Sequence, residues 1–351
     1  MKIVTIVGAR PQFIKASTIS NLIKKYNFFD EVLIHTGQHF DGNMSEIFFK
    51  EMKIPHPDYN LNINRLSHAA MIEKMTDALN KILIHEKPSA VIVYGDTNST
   101  LSGSLAASKL GIPIFHIESG LRSFNKSMPE EINRILTDHM STLLFCPNTN
   151  AKNNLSKEGI NNGVFVTGDI MYDSFLYFRD KIKKSLRKKN EPYVLTTIHR
   201  QENTNNKYKM IDIFSNLDKI NNSIPVIMPL HPRTLKLIKK YNISTKIKII
   251  EPLGYLEFLS YLINSNFIIT DSGGLQKEAF FAKKKCITVR DETEWIELID
   301  LGVNILSSPD NLVNNFKKIK NNDCDFSKKI YGDGKSGELI LNTINNYFNE
   351  K

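Results

Sequence analysis

Short apolar runs alternate with amphipathic stretches along the whole chain. The apolar runs are short enough to be buried strands, and the stretches between them repeat their apolar residues at helical spacing. The predicted strands are 3–7, 32–35, 90–94, 114–117, 143–146 and 164–167, and then 193–197, 225–229, 247–251, 267–270 and 286–289. The predicted helices include 13–25, 70–85, 100–110, 130–140, 256–263 and 275–282. Strands that alternate with helices indicate βαβ units and parallel sheets.

Two such series predict an α/β fold with two Rossmann-like domains. A chain of 351 residues is too long for one ordinary core. We expect the first domain to cover 1–169 and the second 170–335, with the connection between them in 168–192. A C-terminal helix in 336–351 is expected to pack back on the body, and the active site is expected in the cleft between the domains.

Composition narrows the class of protein. Hydrophobic residues make up 41% of the chain and charged residues 24%, as in a soluble globular protein. No apolar run approaches the ~18 residues of a membrane span, and the first strand is too short for a signal-peptide core. Cys146, Cys286 and Cys324 show no CxxC spacing and fit a reducing cytoplasm.

The net charge of +9 raises the question of a polyanionic partner. Most lysines are dispersed, and the densest basic run, 181–189, follows a helical pattern without interleaved aromatic residues. A solvated face therefore explains the run better than a nucleic-acid site. Small anionic substrates such as nucleotide diphosphates fit the charge equally well.

Three carboxylates fall at successive ends of elements in the first half. Asp96 closes the apolar run at 91–94, Glu118 closes the next run, and Glu130 follows Pro129 at the start of a helical pattern. Carboxyl ends of neighbouring parallel strands line one crevice, so these groups are expected to converge. Like charges placed that closely raise the pKa of at least one of the three carboxyls. One carboxyl can then act as an acid while another acts as a base. The pattern predicts an enzyme that moves a proton.

The first strand ends in a turn typical of an anion site. The segment GARPQ at 8–12 joins this strand to a helix, with Arg10 and Lys15 near the helix start. It contains one glycine rather than G-x-G-x-x-G, so no dinucleotide cofactor is expected. An ordinary strand-to-helix turn with exposed cations is the alternative interpretation.

The second half has a matching set of candidates. Ser272, Gly273 and Gly274 open a helix after the strand at 267–270, where backbone N–H groups can approach a diphosphate. Glu278 lies one turn further on, in position to accept from ribose hydroxyls. HRQEN at 199–203 and HPR at 231–233 follow two strands and could neutralise or protonate a departing phosphate.

No metal site is expected. His35 and His39 are four residues apart, but His35 ends a strand and Gly37 follows, so the pair does not share a helix face. A Ser-His-Asp hydrolase is not indicated either, because the chain lacks a G-x-S-x-G elbow.

With these residues placed, the whole chain resembles the non-hydrolysing UDP-N-acetylglucosamine 2-epimerases. The matching segments are GARPQFIK (8–15), GDTNSTL (95–101), HIESGLRS (116–123), PEEINRILTDH (129–139), HRQEN (199–203), TDSGGLQKEA (270–279) and RDETEW (290–295). The resemblance implies the two-domain architecture of B-type glycosyltransferases, a homodimer and no cofactor. It also implies elimination of UDP across C1 and C2 of the sugar, giving 2-acetamidoglucal, and re-addition with protonation on the other face.

The resemblance also implies which residues form the site. The catalytic positions are Lys15, Asp96, Glu118, Glu130 and His199, and the assignment of acid and base among the carboxylates stays open. The UDP-sugar positions are Arg10, Arg122, Arg134, His231, Phe258, Ser272, Gly273, Gly274, Glu278 and Arg290.

Some segments depart from the common family pattern. Gln12, Ser119 and Phe40 stand where many bacterial members have Glu, Ala and Arg, and the last change argues against activation by a second substrate molecule. GARPQ, HRQEN and DETEW are closer to a branch that acts on UDP-2,3-diacetamido-2,3-dideoxyglucuronate. We expect a cytoplasmic UDP-N-acetylhexosamine 2-epimerase that supplies surface polysaccharide synthesis, bound to no membrane or nucleic acid. The alternatives are the diacetamido-uronate epimerase, a hydrolysing epimerase, a glycosyltransferase of the same architecture, and a nucleotide-sugar sensor without turnover.

Overall fold

A computed structural model describes residues 1–38, 55–183, 191–230 and 232–350, with the side chains of 183, 232 and 233 left out. Several sequence predictions fall outside this part: His39, Phe40, His231 and most of the basic run at 181–189. The described chain divides into two compact units, Met1–Leu176 with Lys329–Lys351, and Tyr177–Lys328.

The first unit contains a parallel sheet that has seven strands in the described residues. In chain order these are β1 (Lys2–Val7), β2 (Asp30–His35), β3 (Tyr59–Asn60), β4 (Ala90–Tyr94), β5 (Ile114–Ile117), β6 (Leu143–Cys146) and β7 (Val164–Val166). Their order in the sheet is β3-β2-β1-β4-β5-β6-β7, and every pair is parallel. The helices of this unit begin with α1 (Arg10–Tyr26), α2 (His68–Glu86), α3 (Asn98–Lys109), α4 (Pro129–Met140), α5 (Thr149–Lys157) and α6 (Ile170–Lys183).

The second unit repeats this arrangement with six described strands. They are β8 (Val194–Thr197), β9 (Val226–Pro229), β10 (Lys248–Ile250), β11 (Phe267–Thr270), β12 (Lys285–Thr288) and β13 (Asn304–Leu306), in the order β10-β9-β8-β11-β12-β13. The helices are α7 (Gln201–Thr204), α8 (Lys207–Asn221), α9 (Pro232–Lys240), α10 (Tyr255–Asn264), α11 (Gly273–Phe281), α12 (Ile296–Asp300) and α13 (Leu312–Asn321). Both sheets have the doubly wound strand order of Rossmann folds, so the predicted fold class is confirmed.

The predicted strands all appear, with ends that differ by one or two residues. Two further strands, β3 and β13, were not among the predictions. Each is two or three residues long and lies at an edge of its sheet, so it lacks the buried apolar run that marks a central strand.

The last helix, α14 (Ser336–Asn349), packs on the first unit. Phe348 contacts Phe29 and Phe115, and Tyr347 packs edge-on against Phe115. The division between the units falls within α6 at 176–177, whereas the sequence predicts a domain boundary at 169–170. The structure also places 329–335 in the first unit, whereas the sequence predicts them in the second domain. Aromatic contacts thus tie the C-terminus to the sheet that begins the chain.

In the described residues no helix has both the length and the apolar character needed to cross a bilayer. The three cysteines are free thiols, and Cys146 and Cys286 are buried. Burial raises the pKa of each of these two thiols to about 12.

Candidate active site

The candidate residues of the first unit lie where its strand order reverses. The turns after β1 and β4 flank this point, and β5 lies beside β4. Arg10 and Lys15 belong to the helix that follows β1, Asp96 follows β4, and Glu118 follows β5. A reversal point of this kind is the usual ligand crevice of an open parallel sheet.

Gln12 joins the first two of these turns. Its Oε1 atom accepts from the N–H groups of Gly8 and Ala9 at 2.7 and 3.0 Å, and its amide donates to the Tyr94 carbonyl and the Thr97 hydroxyl. The side chain is almost fully buried. In the sequence Gln12 is recognisable only as part of a motif, because nothing local shows that a glutamine bridges two strand ends.

Lys15 and Glu118 form a buried ion pair. The side chains are 7% and 9% exposed, and the ammonium group donates to Glu118 Oε2. Gly95 lies directly against the pair: a Cβ there would stand 3.1 Å from the Glu118 carboxylate and 3.3 Å from the Lys15 nitrogen. Its φ of +61° also favours glycine. The close approach and the backbone conformation together explain glycine before Asp96.

Asp96 is held from helix α4 at two points. Arg134 donates to its carboxylate at 2.5 Å, and the Asn133 amide donates to its backbone carbonyl at 3.0 Å. The other terminal nitrogen of Arg134 donates to the buried Glu131 carboxylate. Arg134 therefore contacts one of the candidate catalytic groups.

Glu130 lies in the first turn of α4 and is partly exposed. The helix N-terminus favours a negative charge at this position. Its neighbour Glu131 is turned inward and accepts from the N–H groups of Ser123 and Phe124, both at 2.9 Å. The first acid of the pair is thus available to a ligand, whereas the second fixes the loop before the helix.

Arg122 is placed differently from the other candidates. Its guanidinium is buried and donates to Asp138 and to both oxygens of Glu158, each at 2.7 Å. Burial opposes the positive charge, but Glu158 and Asp138 outweigh it and raise the pKa of Arg122. Most N–H donors of this guanidinium are therefore already used inside the protein, which leaves few for a ligand.

In the second unit, Asp271 organises the loop after β8. This fully buried carboxylate accepts from the N–H groups of His199 and Arg200 and from the Asn203 amide, at 2.9–3.1 Å. It also lies 3.4 Å from His199 Nδ1, while the imidazole side chain is half exposed. A carboxylate that orients a histidine in this way is a common acid–base arrangement. Asp271 was not among the predicted site residues.

The glycine turn at the start of α11 already has a carboxylate beside it. A Cβ on Gly273 would collide with Glu294 Oε1, and the Arg200 guanidinium lies close to the same point. Arg290 donates to the other Glu294 oxygen at 3.1 Å. By contrast, a Cβ on Gly274 would meet nothing within 4 Å. An anion is therefore compatible with this helix end, as the turn predicts.

The remaining second-unit candidates lie near this turn in the sequence. Ser272 accepts from the Leu275 N–H as the N-cap of α11, and Glu278 is buried with a hydrogen bond from the Tyr255 hydroxyl at 3.1 Å. Phe258 is partly buried on α10. In the described residues, no group of three His, Cys, Asp or Glu side chains could hold a metal ion.

Comparison with known proteins agrees with this geometry. The family model described as UDP-N-acetylglucosamine 2-epimerase matches residues 21–345. A UDP-2,3-diacetamido-2,3-dideoxy-D-glucuronate 2-epimerase from Pseudomonas aeruginosa is 46% identical, over 97% of this chain and 98% of its own length.

Solved structures give the same result. The UDP-GlcNAc 2-epimerase from Methanocaldococcus jannaschii, in complex with UDP-GlcNAc and UDP, is 42% identical with a TM-score of 0.89, covering 98% of this chain and 99% of that chain. The enzyme from Neisseria meningitidis bound to UDP-GlcNAc is 30% identical with the same TM-score and the same coverage. Fold and strand-end chemistry define an α/β enzyme with two Rossmann-like units. The chain belongs to the UDP-N-acetylglucosamine 2-epimerase family.

Proposed function

We propose that this chain inverts C2 of a UDP-N-acetylhexosamine without hydrolysis, converting UDP-N-acetylglucosamine into UDP-N-acetylmannosamine. The observation that carries the proposal is the set of acid–base groups at the ends of β4 and β5: Asp96 beside Arg134, and Glu118 beside Lys15. Family membership supports it. Carboxylates held in fixed geometry beside cations can take up and return protons during turnover.

The reaction needs an indirect route, because the C2 hydrogen is not adjacent to a carbonyl and direct deprotonation is very unfavourable. A carboxylate removes the C2 proton while the C1–O bond breaks, so that UDP leaves with the bonding electron pair and 2-acetamidoglucal remains. UDP then adds back at C1, and a proton is delivered to C2 from the opposite face. No electron is transferred to a cofactor.

Within this proposal the candidate residues have separate tasks. Asp96, Glu118 and Glu130 are the groups for proton transfer, in an order still open, and Lys15 and His199 supply positive charge or a proton. The UDP moiety is assigned to Arg10, His231, Phe258, Ser272, Gly273, Gly274, Glu278 and Arg290. Arg134 holds the Asp96 carboxylate in place, and Arg122 contributes indirectly by its hydrogen bond to Asp138.

A second candidate substrate is UDP-2,3-diacetamido-2,3-dideoxyglucuronate. The GARPQ, HRQEN and DETEW segments and the Pseudomonas relative favour it. The net charge of +9 suits an additional carboxylate on the sugar. We further propose that the protein is a cytoplasmic homodimer that supplies precursors for surface polysaccharide.

Proton NMR in D₂O distinguishes these possibilities. We expect UDP-N-acetylglucosamine to give UDP-N-acetylmannosamine with deuterium at C2. Turnover of the diacetamido-uronate alone would transfer the proposal to that substrate. Free N-acetylmannosamine with UDP would indicate the hydrolysing reaction, and binding of both substrates without exchange at C2 would contradict an epimerase.

A further inference from the structure

A buried histidine links the candidate carboxylates of the first unit. His116 is in β5, two residues before Glu118, and its side chain is fully buried. Nε2 lies 2.8 Å from the Gly95 carbonyl oxygen, and Nδ1 lies 2.7 Å from Asp138 Oδ1. One ring nitrogen therefore faces a carbonyl oxygen and the other a carboxylate oxygen, so the ring spans two hydrogen-bond acceptors.

Asp138 is held by several donors besides this ring. Its second oxygen accepts from the Gly120 N–H at 3.1 Å and from Arg122 at 2.7 Å. Burial works against its negative charge, but the hydrogen bond and charge of His116 and the charge of Arg122 lower the pKa of this carboxyl. The cluster of His116, Asp138 and Arg122 is therefore a satisfied, charged network inside the protein.

The two contacts of His116 reach both sides of the candidate site. Gly95 immediately precedes Asp96, and its own N–H donates to the Ile117 carbonyl at 2.9 Å. Asp138 lies two turns after Glu130 on α4, the helix whose Arg134 holds Asp96. The ring, which lies in the strand that precedes Glu118, thus connects the turn that presents Asp96 to the helix that presents Glu130.

We infer that His116 is a positioning residue for the proposed epimerisation, acting through its hydrogen bond to the Gly95 carbonyl. This inference rests on the proposed function. Gly95 has a left-handed backbone conformation and lies against the Lys15–Glu118 pair, so a rotation of its peptide would move Asp96 relative to Glu118. Displacement of a proton-transfer group by about 1 Å can cost ~10²-fold in rate.

Two substitutions separate the contacts of the ring. In His116→Asn the amide nitrogen can take the place of Nδ1 and keep the bond to Asp138, but it cannot reach Gly95. In His116→Gln the amide nitrogen can take the place of Nε2 and keep the bond to Gly95. We expect kcat to fall ~10–100-fold in His116→Asn, with KM within about threefold of wild type, and His116→Gln to recover most of the loss.

The measurement is kcat per UDP-binding site, with the sites counted by calorimetric titration of UDP. Counting the UDP-binding sites excludes unfolded molecules from the comparison. A substitution with a merely structural effect would lower the number of sites and leave kcat per site unchanged. Glu158→Gln is the matched control: it removes a partly exposed charge from the far side of Arg122 without touching Gly95, and its kcat should be near wild type. If His116→Asn is insoluble, His116→Ser, which also loses the bond to the Gly95 carbonyl, is measured in the same way, and a lower kcat per site than that of His116→Gln is expected.

The possible outcomes are distinct. A wild-type protein that turns over, together with a His116→Asn variant of unchanged kcat per site, would overturn the inference alone. Equal losses in His116→Asn and His116→Gln would also overturn it, because the Gly95 contact would then be irrelevant. A wild-type protein that converts neither UDP-sugar would overturn the proposed function and this inference with it.

Discussion

Each of two candidate carboxylates at the strand ends has a cation as its neighbour. Lys15 pairs with Glu118, and Arg134 pairs with Asp96. The sequence suggested that the acids perturb one another by like-charge repulsion, and that effect stays a prediction. In the structure the nearest charged partner of each of these two groups is a cation and not another acid.

Removing one proton-transfer group should abolish most of the turnover. We expect Asp96→Asn and Glu130→Gln each to lower kcat by at least ~10²-fold, because the amide keeps the shape but cannot take up a proton. The NMR assay in D₂O measures this directly. Asp212→Asn, an exposed change on α8, is the control with the same chemistry and should be near wild type. Near-normal rates in both site variants would remove the proposed mechanism.

Gly95 allows a second prediction at the residue scale. Gly95→Ala should lower kcat ~10-fold or more, because the new methyl group meets Glu118 and Lys15. Gly111→Ala is a close control: its φ of +66° imposes a similar backbone cost of about 1–2 kcal/mol, but nothing lies within 4 Å of the added carbon. Turnover and thermal unfolding of both variants are compared. Equal losses of turnover would show that the backbone conformation alone is responsible.

Among the secondary-structure elements, two helix N-termini bear candidate site residues. Glu130 is in the first turn of α4, and the glycine turn of α11 has the Glu294 carboxylate beside it. Both places use the positive end of a helix. At α11, an arriving diphosphate would compete with Glu294 for the helix end and for Arg290.

Neutralising Glu294 should therefore strengthen nucleotide binding. For Glu294→Gln we expect a Kd for UDP roughly three- to tenfold lower than that of wild type, measured by calorimetry. Asp291→Asn removes one negative charge from the same loop at an exposed position, so it controls for net charge. Weaker binding by Glu294→Gln would mean instead that this carboxylate helps to hold the nucleotide.

The start of α14 should make stability depend on pH. Asp173 accepts from the Gly337 N–H at 2.7 Å, and burial raises the pKa of its carboxyl to about 6. The folded protein then holds a proton that the unfolded chain, with a pKa of 3.8, has lost. The free energy of unfolding should therefore fall as pH rises from about 4 to 6, by at most ~3 kcal/mol.

Asp173→Asn tests this contribution. The variant should lose that part of the pH dependence and be more stable than wild type at pH 7, while matching it near pH 4. Denaturant unfolding at several pH values measures the difference. An unchanged slope between pH 4 and 6 would show that Asp173 does not cause it.

At the scale of the whole molecule, the resemblance to the epimerase family predicts a pair of chains. We expect light scattering during size-exclusion chromatography to give twice the 40.1 kDa mass of one chain. The mass should stay the same on dilution to micromolar concentration, as for an obligate pair. A monomer at every concentration would contradict the proposed homodimer.

Much of the architecture was predictable from the sequence because buried parallel strands are continuous apolar runs. Runs such as 90–94 and 114–117 stand out from the helical stretches around them, and the polar residues that follow them mark the strand ends. The edge strands β3 and β13 escaped prediction because they are short and only partly buried. Arg122 could be matched to a family motif, but its burial among carboxylates could not be inferred from that motif.

The sequence by itself determined the two parallel α/β units, the family, and the segments that carry the site, since these depend on local patterns of burial and turn-forming residues. Only the tertiary structure decided which side chains meet. Lys15 is 103 residues from Glu118, Asp96 is 38 from Arg134, and His116 is 21 from Gly95. Such pairs depend on strand order and on which helix crosses which strand end, and periodicity along one chain contains no record of either.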